Sequence, residues 1–204
     1  EIADILILAV KPNIIESVIL EIKNSVIKKD VLVISIAAGI KIKKIESLFG
    51  SSIKVIRAMP NTPASIMEGV TAITSNKNVK GTDTDNAKFL FKCVGKVAEI
   101  KEEDIDIFTA LIGSGPAYVF YLIESLLSAS KNLDLSIEKK VALLASMISG
   151  AANLVIVSED SPKDLRKKVT SPGGVTQRAI EEFEILKLKE IIKQSMEAAE
   201  NKSI

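Results

Sequence analysis

The first hundred residues alternate short apolar runs with stretches of helical periodicity. Runs that are apolar at consecutive positions are typical of parallel strands buried on both faces. Between them, apolar side chains recur every three or four positions, as in amphipathic helices. This alternation predicts an α/β region with a mostly parallel sheet. The predicted strands cover residues 2–10, 31–36, 53–59, 70–74 and 96–100, and the predicted helices begin near Pro12 and cover residues 41–48 and 83–93.

From about residue 102 onward the periodicity is helical throughout. Ile105, Phe108 and Ile112 share one helical face, and Val119 and Leu122 share another. The C-terminal half is therefore predicted to be an all-α bundle, with a domain boundary near residue 101.

Residues 141–158 carry no charge and approach the length of a membrane-spanning helix. Ser146, Ser149 and Asn153 interrupt the segment, and no aromatic belt flanks it. A helix that is apolar on most sides is also typical of a bundle core or a subunit interface. We therefore expect this helix to be buried in a dimer core, and we expect no membrane partner.

The composition narrows the class of protein further. The 27 basic and 26 acidic residues among 204 are dispersed, which argues against a nucleic-acid-binding surface. One cysteine and no histidine make an intrachain disulfide impossible and argue against a metal site. Cys93 lies among apolar residues and is expected to be a small core residue. The N-terminal residues lack a basic signal region, so a cytoplasmic protein is expected.

The segment of residues 170–176, with the sequence Thr-Ser-Pro-Gly-Gly-Val-Thr, lies between two predicted helices. Its two glycines allow a tight turn and close approach of a ligand to the backbone. The amides at the start of the next helix are free to donate and lie at the positive end of the helix dipole. Such a loop suits a small carboxylate, although a simple capped turn between helices has the same composition.

Several segments together resemble the pyrroline-5-carboxylate reductase family. They occur in the family's order and cover nearly the whole chain. The matching residues are Pro162, Leu165, Val169, Thr170, Ser171, Gly173, Gly174, Thr176 and Ala179, with the segments Ala-Val-Lys-Pro at 9–12, Ser-Ile-Ala-Ala-Gly at 35–39, Met-Pro-Asn-Thr-Pro at 59–63 and Gly-Ser-Gly-Pro-Ala-Tyr at 113–118.

The resemblance implies an oxidoreductase that reduces 1-pyrroline-5-carboxylate to L-proline with NADPH or NADH, the last step of proline biosynthesis. It implies a partial Rossmann-type dinucleotide-binding domain over residues 1–100. An all-helical dimerisation and substrate domain would follow over residues 101–204. Members of the family form homodimers that often assemble further, so we expect the same here.

The resemblance also implies roles for individual residues, with Thr176 as the catalytic residue. The substrate-binding residues would be Glu102, Lys168, Ser171, Gly173, Gly174, Val175 and Thr176. The cofactor-binding residues would be Ala9, Val10, Lys11, Pro12, Ala37, Ala38, Gly39, Met59 and Asn61. Thr176 would lie near the ring nitrogen of the substrate, as a hydrogen-bond donor or proton source. No metal is implied.

The chain contains no G-x-G-x-x-G after a first strand, the element that normally holds a dinucleotide diphosphate. In the family this element precedes the Ala-Val-Lys-Pro segment by roughly sixty residues, the length of two βα units. The sequence is therefore expected to be a reductase without its first two βα units. Two alternatives follow: a non-catalytic dimerisation module that binds small carboxylates, and a 3-hydroxyacid-type dehydrogenase. The Ser-Pro-Gly-Gly match argues against the dehydrogenase.

Overall fold

The computed structural model describes residues 3–27 and 30–203. Within these residues the chain forms one five-stranded sheet in the order β1-β2-β3-β4-β5. Neighbouring strands are parallel, except for the antiparallel pair β3–β4. The mostly parallel sheet predicted from the sequence is confirmed. The strands are β1 (Ile5–Leu8), β2 (Leu32–Ser35), β3 (Lys54–Met59), β4 (Gly69–Ser75) and β5 (Gly95–Glu99).

The central strands form because both faces of the sheet are covered. All four residues of β2 are buried, as expected for a parallel strand packed on both sides. On one face Val33 and Val55 pack with helices α1 (Ile15–Ile27) and α2 (Ile42–Phe49). The other face carries Ile34, Ile56 and Ile73, which form a second core with Ala87 of α3 (Gly81–Lys92).

The remainder of the chain is helical, as predicted. After β5, a 3-10 turn at Glu102–Asp104 leads into a short helix and a π-helical turn at Thr109–Gly113. The helices are α4 (Ile105–Phe108), α5 (Gly115–Ala129), α6 (Ile137–Val157), α7 (Pro162–Lys168), α8 (Val175–Ile185) and α9 (Leu188–Ser203). Ser136 and Ser161 begin α6 and α7 as N-caps, because each side chain accepts a hydrogen bond from the amide three residues later.

The chain divides into two compact units, which we call the sheet unit and the helical unit. The sheet unit comprises Glu1–Pro116 and Met196–Ile204, and the helical unit comprises Ala117–Ser195. The sheet unit thus extends past residue 101, because Ile105 and Phe108 pack with Ala72 of β4 in a third core cluster. The functional division near residue 101 stays a prediction.

The prediction that Cys93 is a core residue is wrong. Its side chain is exposed. Cys93 follows the last turn of α3, and its Sγ lies 3.3 Å from the carbonyl oxygen of Phe89. The apolar neighbours in sequence therefore do not enclose it.

Two helical stretches of the described residues, Glu102–Ala129 and Ile137–Val157, have the length and apolar composition that could span a membrane. Core helices of soluble proteins have the same properties. In this structure no residue of α5 or α6 is buried within the single chain. Both helices therefore present apolar side chains that the chain itself does not cover.

Candidate active site

Three predicted cofactor-binding segments lie at one edge of the sheet. The register pairs Leu8 of β1 with Ser35 of β2, and Ser35 with Arg57 of β3. The amide of Ile36 also donates to the carbonyl of Leu8 at 3.1 Å. Because the three strands are parallel, the loops that follow them leave from the same edge of the sheet, and β3 extends two residues beyond the level at which β1 and β2 end. This is the edge at which α/β sheets bind ligands.

The loop after β1 presents small and cationic groups. Ala9, Lys11 and Pro12 are exposed, and Val10 is partly buried. Lys11 is extended and precedes a 3-10 turn in which Pro12 occupies the first position. The fixed φ of proline suits that position, so the turn is set locally. Lys11 is thus an exposed positive charge in the loop at the sheet edge.

The loop after β2 combines a buried anchor with an open tip. Ala37 is buried against the α1–α2 face of the sheet, whereas Ala38 and Gly39 are exposed. Gly39 has a φ of 73°, a left-handed conformation that favours glycine. At the tip no side chain extends beyond a Cβ atom, so a flat ligand can approach the backbone closely.

The loop after β3 is held from two sides. The side-chain Oδ1 of Asn61 accepts a hydrogen bond from the amide of Val70 at 2.8 Å, and its Nδ2 donates to the carbonyl of Ile112 at 3.1 Å. The Met59 methyl lies close to Gly113, where an added Cβ would be only 3.3 Å away. The side chain of Asn61 therefore fixes the loop, and its role toward a cofactor stays a prediction.

Arg57 of β3, which leads into the third of these loops, forms a charge cluster with Asp106 and Glu102. Arg57 is 2% exposed, and its Nη2 lies 3.4 Å from Oδ1 of buried Asp106. Its Nη1 lies 3.6 Å from Oε1 of Glu102. The same Glu102 oxygen accepts a hydrogen bond of 2.7 Å from the amide of Ile42, the first residue of α2. A carboxylate there is favoured by the helix dipole.

Sequence reasoning gave neither Arg57 nor Asp106 a role of its own and interpreted Glu102 as a substrate ligand. The available signal was a charged residue inside the apolar run of β3, since a buried arginine requires an acidic partner. The observed contacts give Glu102 a capping role, while its contact with substrate stays a prediction.

In the helical unit, the predicted carboxylate loop has a defined backbone. Gly173 has a φ of 70°, and its amide donates to the side-chain oxygen of Gln177 at 2.7 Å. The amide of Gly174, the N-cap of α8, donates to the carbonyl of Ser171 at 3.0 Å. The amides next in line are those of Val175 and Thr176, which begin α8 without intrahelical partners.

The side chains of this loop are open to solvent. Ser171 and Thr176 are exposed, and Val175 is 91% exposed. Lys168, at the end of α7, pairs with Asp160. The hydrogen bond from Lys168 lowers the pKa of Asp160 below its ordinary value of 3.8. The loop of residues 170–176 and Lys168 thus supply exposed hydrogen-bond donors of the type that binds a carboxylate.

Among the described residues there is no group of three or more His, Cys, Asp or Glu side chains that could hold a metal ion. The expectation of no metal cofactor stays a prediction.

A mostly parallel sheet with open loops of small residues at its carboxyl edge defines a Rossmann-type α/β protein, here followed by helices. Residues 102–204 match the family model of pyrroline-5-carboxylate reductase dimerisation. The pyrroline-5-carboxylate reductase of Pseudomonas aeruginosa is 36% identical over 202 residues, which cover 98% of this chain and 74% of the relative. The Synechocystis enzyme of the same name is 37% identical over 204 residues, covering 99% and 74%.

Among solved structures, the Plasmodium falciparum pyrroline carboxylate reductase with NADP bound is 40% identical, with a TM-score of 0.92. The match covers 98% of this chain and 76% of that one. The chain belongs to the pyrroline-5-carboxylate reductase family, which confirms the resemblance and the fold class. It spans about three quarters of the length of these relatives.

Proposed function

We propose that this chain reduces 1-pyrroline-5-carboxylate to L-proline with NADPH or NADH, the last step of proline biosynthesis. The observation that carries the proposal is 36% to 40% identity, over nearly the whole chain, to enzymes named for this substrate. The parallel strands β1, β2 and β3 support it, because the loops that follow them leave one sheet edge where a dinucleotide would bind.

The sheet unit fits the nicotinamide and ribose end of a dinucleotide. When bound, the reduced nicotinamide supplies the hydride for the imine carbon. Ala9, Val10, Lys11 and Pro12 would line one side of the cofactor, and Ala37, Ala38 and Gly39 the next strand end. Met59 and Asn61 would complete the edge. The small exposed residues Ala9, Ala38 and Gly39 leave room for a flat ring, and Lys11 offers a positive charge.

The helical unit would hold the substrate. The amides of Val175 and Thr176, at the positive end of α8, suit the substrate carboxylate together with Ser171, Gly173 and Gly174. Lys168 of this unit is proposed as a further substrate-binding residue, and Glu102 of the sheet unit keeps its predicted substrate-binding role. As hydride adds to the imine carbon, the ring nitrogen takes up one proton and becomes a secondary amine. The Thr176 hydroxyl would donate a hydrogen bond or that proton, unless the imine binds already protonated, in which case Thr176 positions it.

The proposed oligomeric state rests on the helical C-terminal half of the chain. The family model that matches residues 102–204 is a dimerisation model, and α5 and α6 expose apolar side chains. We propose a homodimer that can assemble further, with neither nucleic acid nor membrane as partner. A single cysteine fits a reducing compartment, and we place the protein in the cytoplasm.

The test is NADPH oxidation by the 204-residue chain with pyrroline-5-carboxylate, alongside NADPH binding by fluorescence. We expect turnover, and we expect Thr176→Ala to lower kcat by about a hundredfold while NADPH binding stays close to that of the unsubstituted chain. Thr176→Ser keeps the hydroxyl and serves as the matched control, so it should retain most of the activity.

Two outcomes would contradict this proposal. NADPH binding without turnover would mean that the reaction is assigned wrongly for this chain. Neither binding nor turnover at millimolar cofactor would remove the reductase function from it. An unchanged kcat in Thr176→Ala would leave the reaction but remove Thr176 from its catalytic role.

A further inference from the structure

Arg57 is placed unusually for a charged residue. It lies within β3, two residues before Met59, and is enclosed by the sheet unit. Its Nη1 is buried and makes no hydrogen bond with any of the described residues. Burying a charged donor in this way is unfavourable unless charges of opposite sign surround it. The charges facing it are Asp106 at 3.4 Å and Glu102 at 3.6 Å.

Glu102 connects this arginine to a second loop. Its Oε1 faces Arg57 Nη1 and also accepts the 2.7 Å hydrogen bond from Ile42. Lys41, the N-cap of α2, makes no side-chain capping bond, so Glu102 takes over the capping of this helix from outside it. Only two residues separate the loop of residues 37–39 from α2. The position of that loop therefore depends on a carboxylate that Arg57 faces.

From these contacts we infer that Arg57 is a positioning residue of the cofactor site. It belongs to the strand that continues into Met59 and Asn61, and through Glu102 it holds the start of α2 behind Ala38 and Gly39. One buried guanidinium thus fixes two of the three loops at the sheet edge relative to each other. Asp106 contacts Nη2 of the same guanidinium and so fixes its orientation toward Glu102. The inference rests on the proposed function for its effect on turnover, but not for its effect on α2.

Binding geometry at such an edge is sensitive to small displacements. A shift of about 1 Å between groups that must hold a reactant can lower the rate by about a hundredfold. Loss of the Arg57–Glu102 contact would let α2 and its preceding loop move relative to β3. We expect the consequence in cofactor binding first, because both loops are cofactor segments.

The experiment compares Arg57→Met, Arg57→Lys and Glu102→Gln in the 204-residue chain. Met keeps much of the apolar stem without the charge, Lys restores the charge, and Gln keeps a carbonyl oxygen for the Ile42 amide. Glu103→Gln is the matched control, since Glu103 is a neighbouring carboxylate whose 3.3 Å ion pair with Lys101 lies on the surface. The readouts are the KM for NADPH, the KM for pyrroline-5-carboxylate, kcat, and hydrogen exchange at the Ile42 amide.

We expect Arg57→Met to raise the KM for NADPH by about ten- to a hundredfold, with a much smaller change in the KM for the imine. Exchange at Ile42 should become faster, and Arg57→Lys should restore part of both values. The effect of Arg57→Met should shrink when Glu102 is already glutamine, because the two residues act through one contact. Glu103→Gln should change none of these values.

Unchanged Ile42 exchange and NADPH KM in folded Arg57→Met would overturn the inference, as would additive effects of the Arg57 and Glu102 variants. If Arg57→Met does not fold, Glu102→Gln decides through the KM for NADPH, because Glu102 is 35% exposed and removing its charge spares the core. A raised KM supports the inference, and an unchanged KM overturns it. The Ile42 readout needs no turnover. A chain that is inactive but shows the exchange effect would therefore contradict the proposed function and not this inference.

Discussion

The sheet unit and the helical unit bury their apolar side chains to very different extents. The buried apolar residues of the described chain all lie in the sheet unit, where Ile19, Val33 and Ile45 are at or near complete burial. In the helical unit, Ala117–Ser195, no residue is buried, although α6 is strongly apolar. The sheet unit thus forms its core from its own residues. The helices need a second surface, and the dimerisation family model indicates what supplies it.

This comparison predicts that the largest loss of stability comes from the sheet unit. An added Cβ at Gly95 would lie 1.9 Å from the carbonyl oxygen of Gly69 on the paired strand, and Gly95 has a φ of 147°. Gly95→Ala should therefore lower the free energy of unfolding by about 2 to 6 kcal/mol, measured by chemical denaturation. Gly81→Ala is the control, since nothing lies within 4 Å of an added Cβ there. Equal stability of the two variants would refute the close-packed β4–β5 pair.

A charge on α6 should act on assembly instead of on folding. Leu143, Met147 and Leu154 form an exposed stripe along this helix, and Leu143 is 59% exposed. Leu143→Glu should weaken the dimer about a hundredfold, because a glutamate would be buried without a partner in an apolar interface. Leu20→Glu, at a 56% exposed position of α1, should leave the dimer intact. A sedimentation profile unchanged by Leu143→Glu would remove the α6 stripe from the interface.

The smallest effects are expected from ion pairs whose carboxylates lie near the surface, which occur in both units. Hydrogen bonding to Lys54 lowers the pKa of Asp30, and hydrogen bonding to Lys168 lowers the pKa of Asp160, each from an ordinary 3.8. A carboxyl pKa that is lower in the folded chain stabilises it above pH 3.8, and that contribution is lost as the pH falls through the folded value.

Carboxyl NMR titration should therefore place both midpoints below 3.8, and Lys54→Met and Lys168→Met should return them toward it. A midpoint at or above 3.8 in the unsubstituted chain would contradict the pairing. Because both carboxylates are near the surface, their loss should change stability far less than Gly95→Ala.

Much of the fold follows from local patterns. The run of residues 31–34, apolar at every position, predicts a buried strand at β2, and Pro12 marks a helix start through its fixed backbone. The antiparallel direction of β4 against β3 is not encoded in such a pattern. It depends on how the loop through Asn61 returns the chain, which is a matter of long-range contacts.

The candidate site likewise has one part that the local sequence predicts and another part that depends on long-range contacts. The glycine loop at residues 170–176 is visible in the sequence because glycine and proline mark a turn before a helix. The link from Arg57 through Glu102 to Ile42 joins residues far apart in the chain, and only the folded sheet brings them together. Cys93 was misplaced for a related reason, because apolar neighbours in sequence do not decide which way a helix end faces.

The most direct test of the contrast between the units is sedimentation equilibrium of the unsubstituted chain over a range of concentrations. The account predicts a mass of at least twice 22.0 kDa, with helical unfolding that shifts to higher temperature as the protein concentration rises. A 22.0 kDa particle at every concentration, with cooperatively folded helices, would contradict it. The apolar surface of α5 and α6 would then be stable without a second chain.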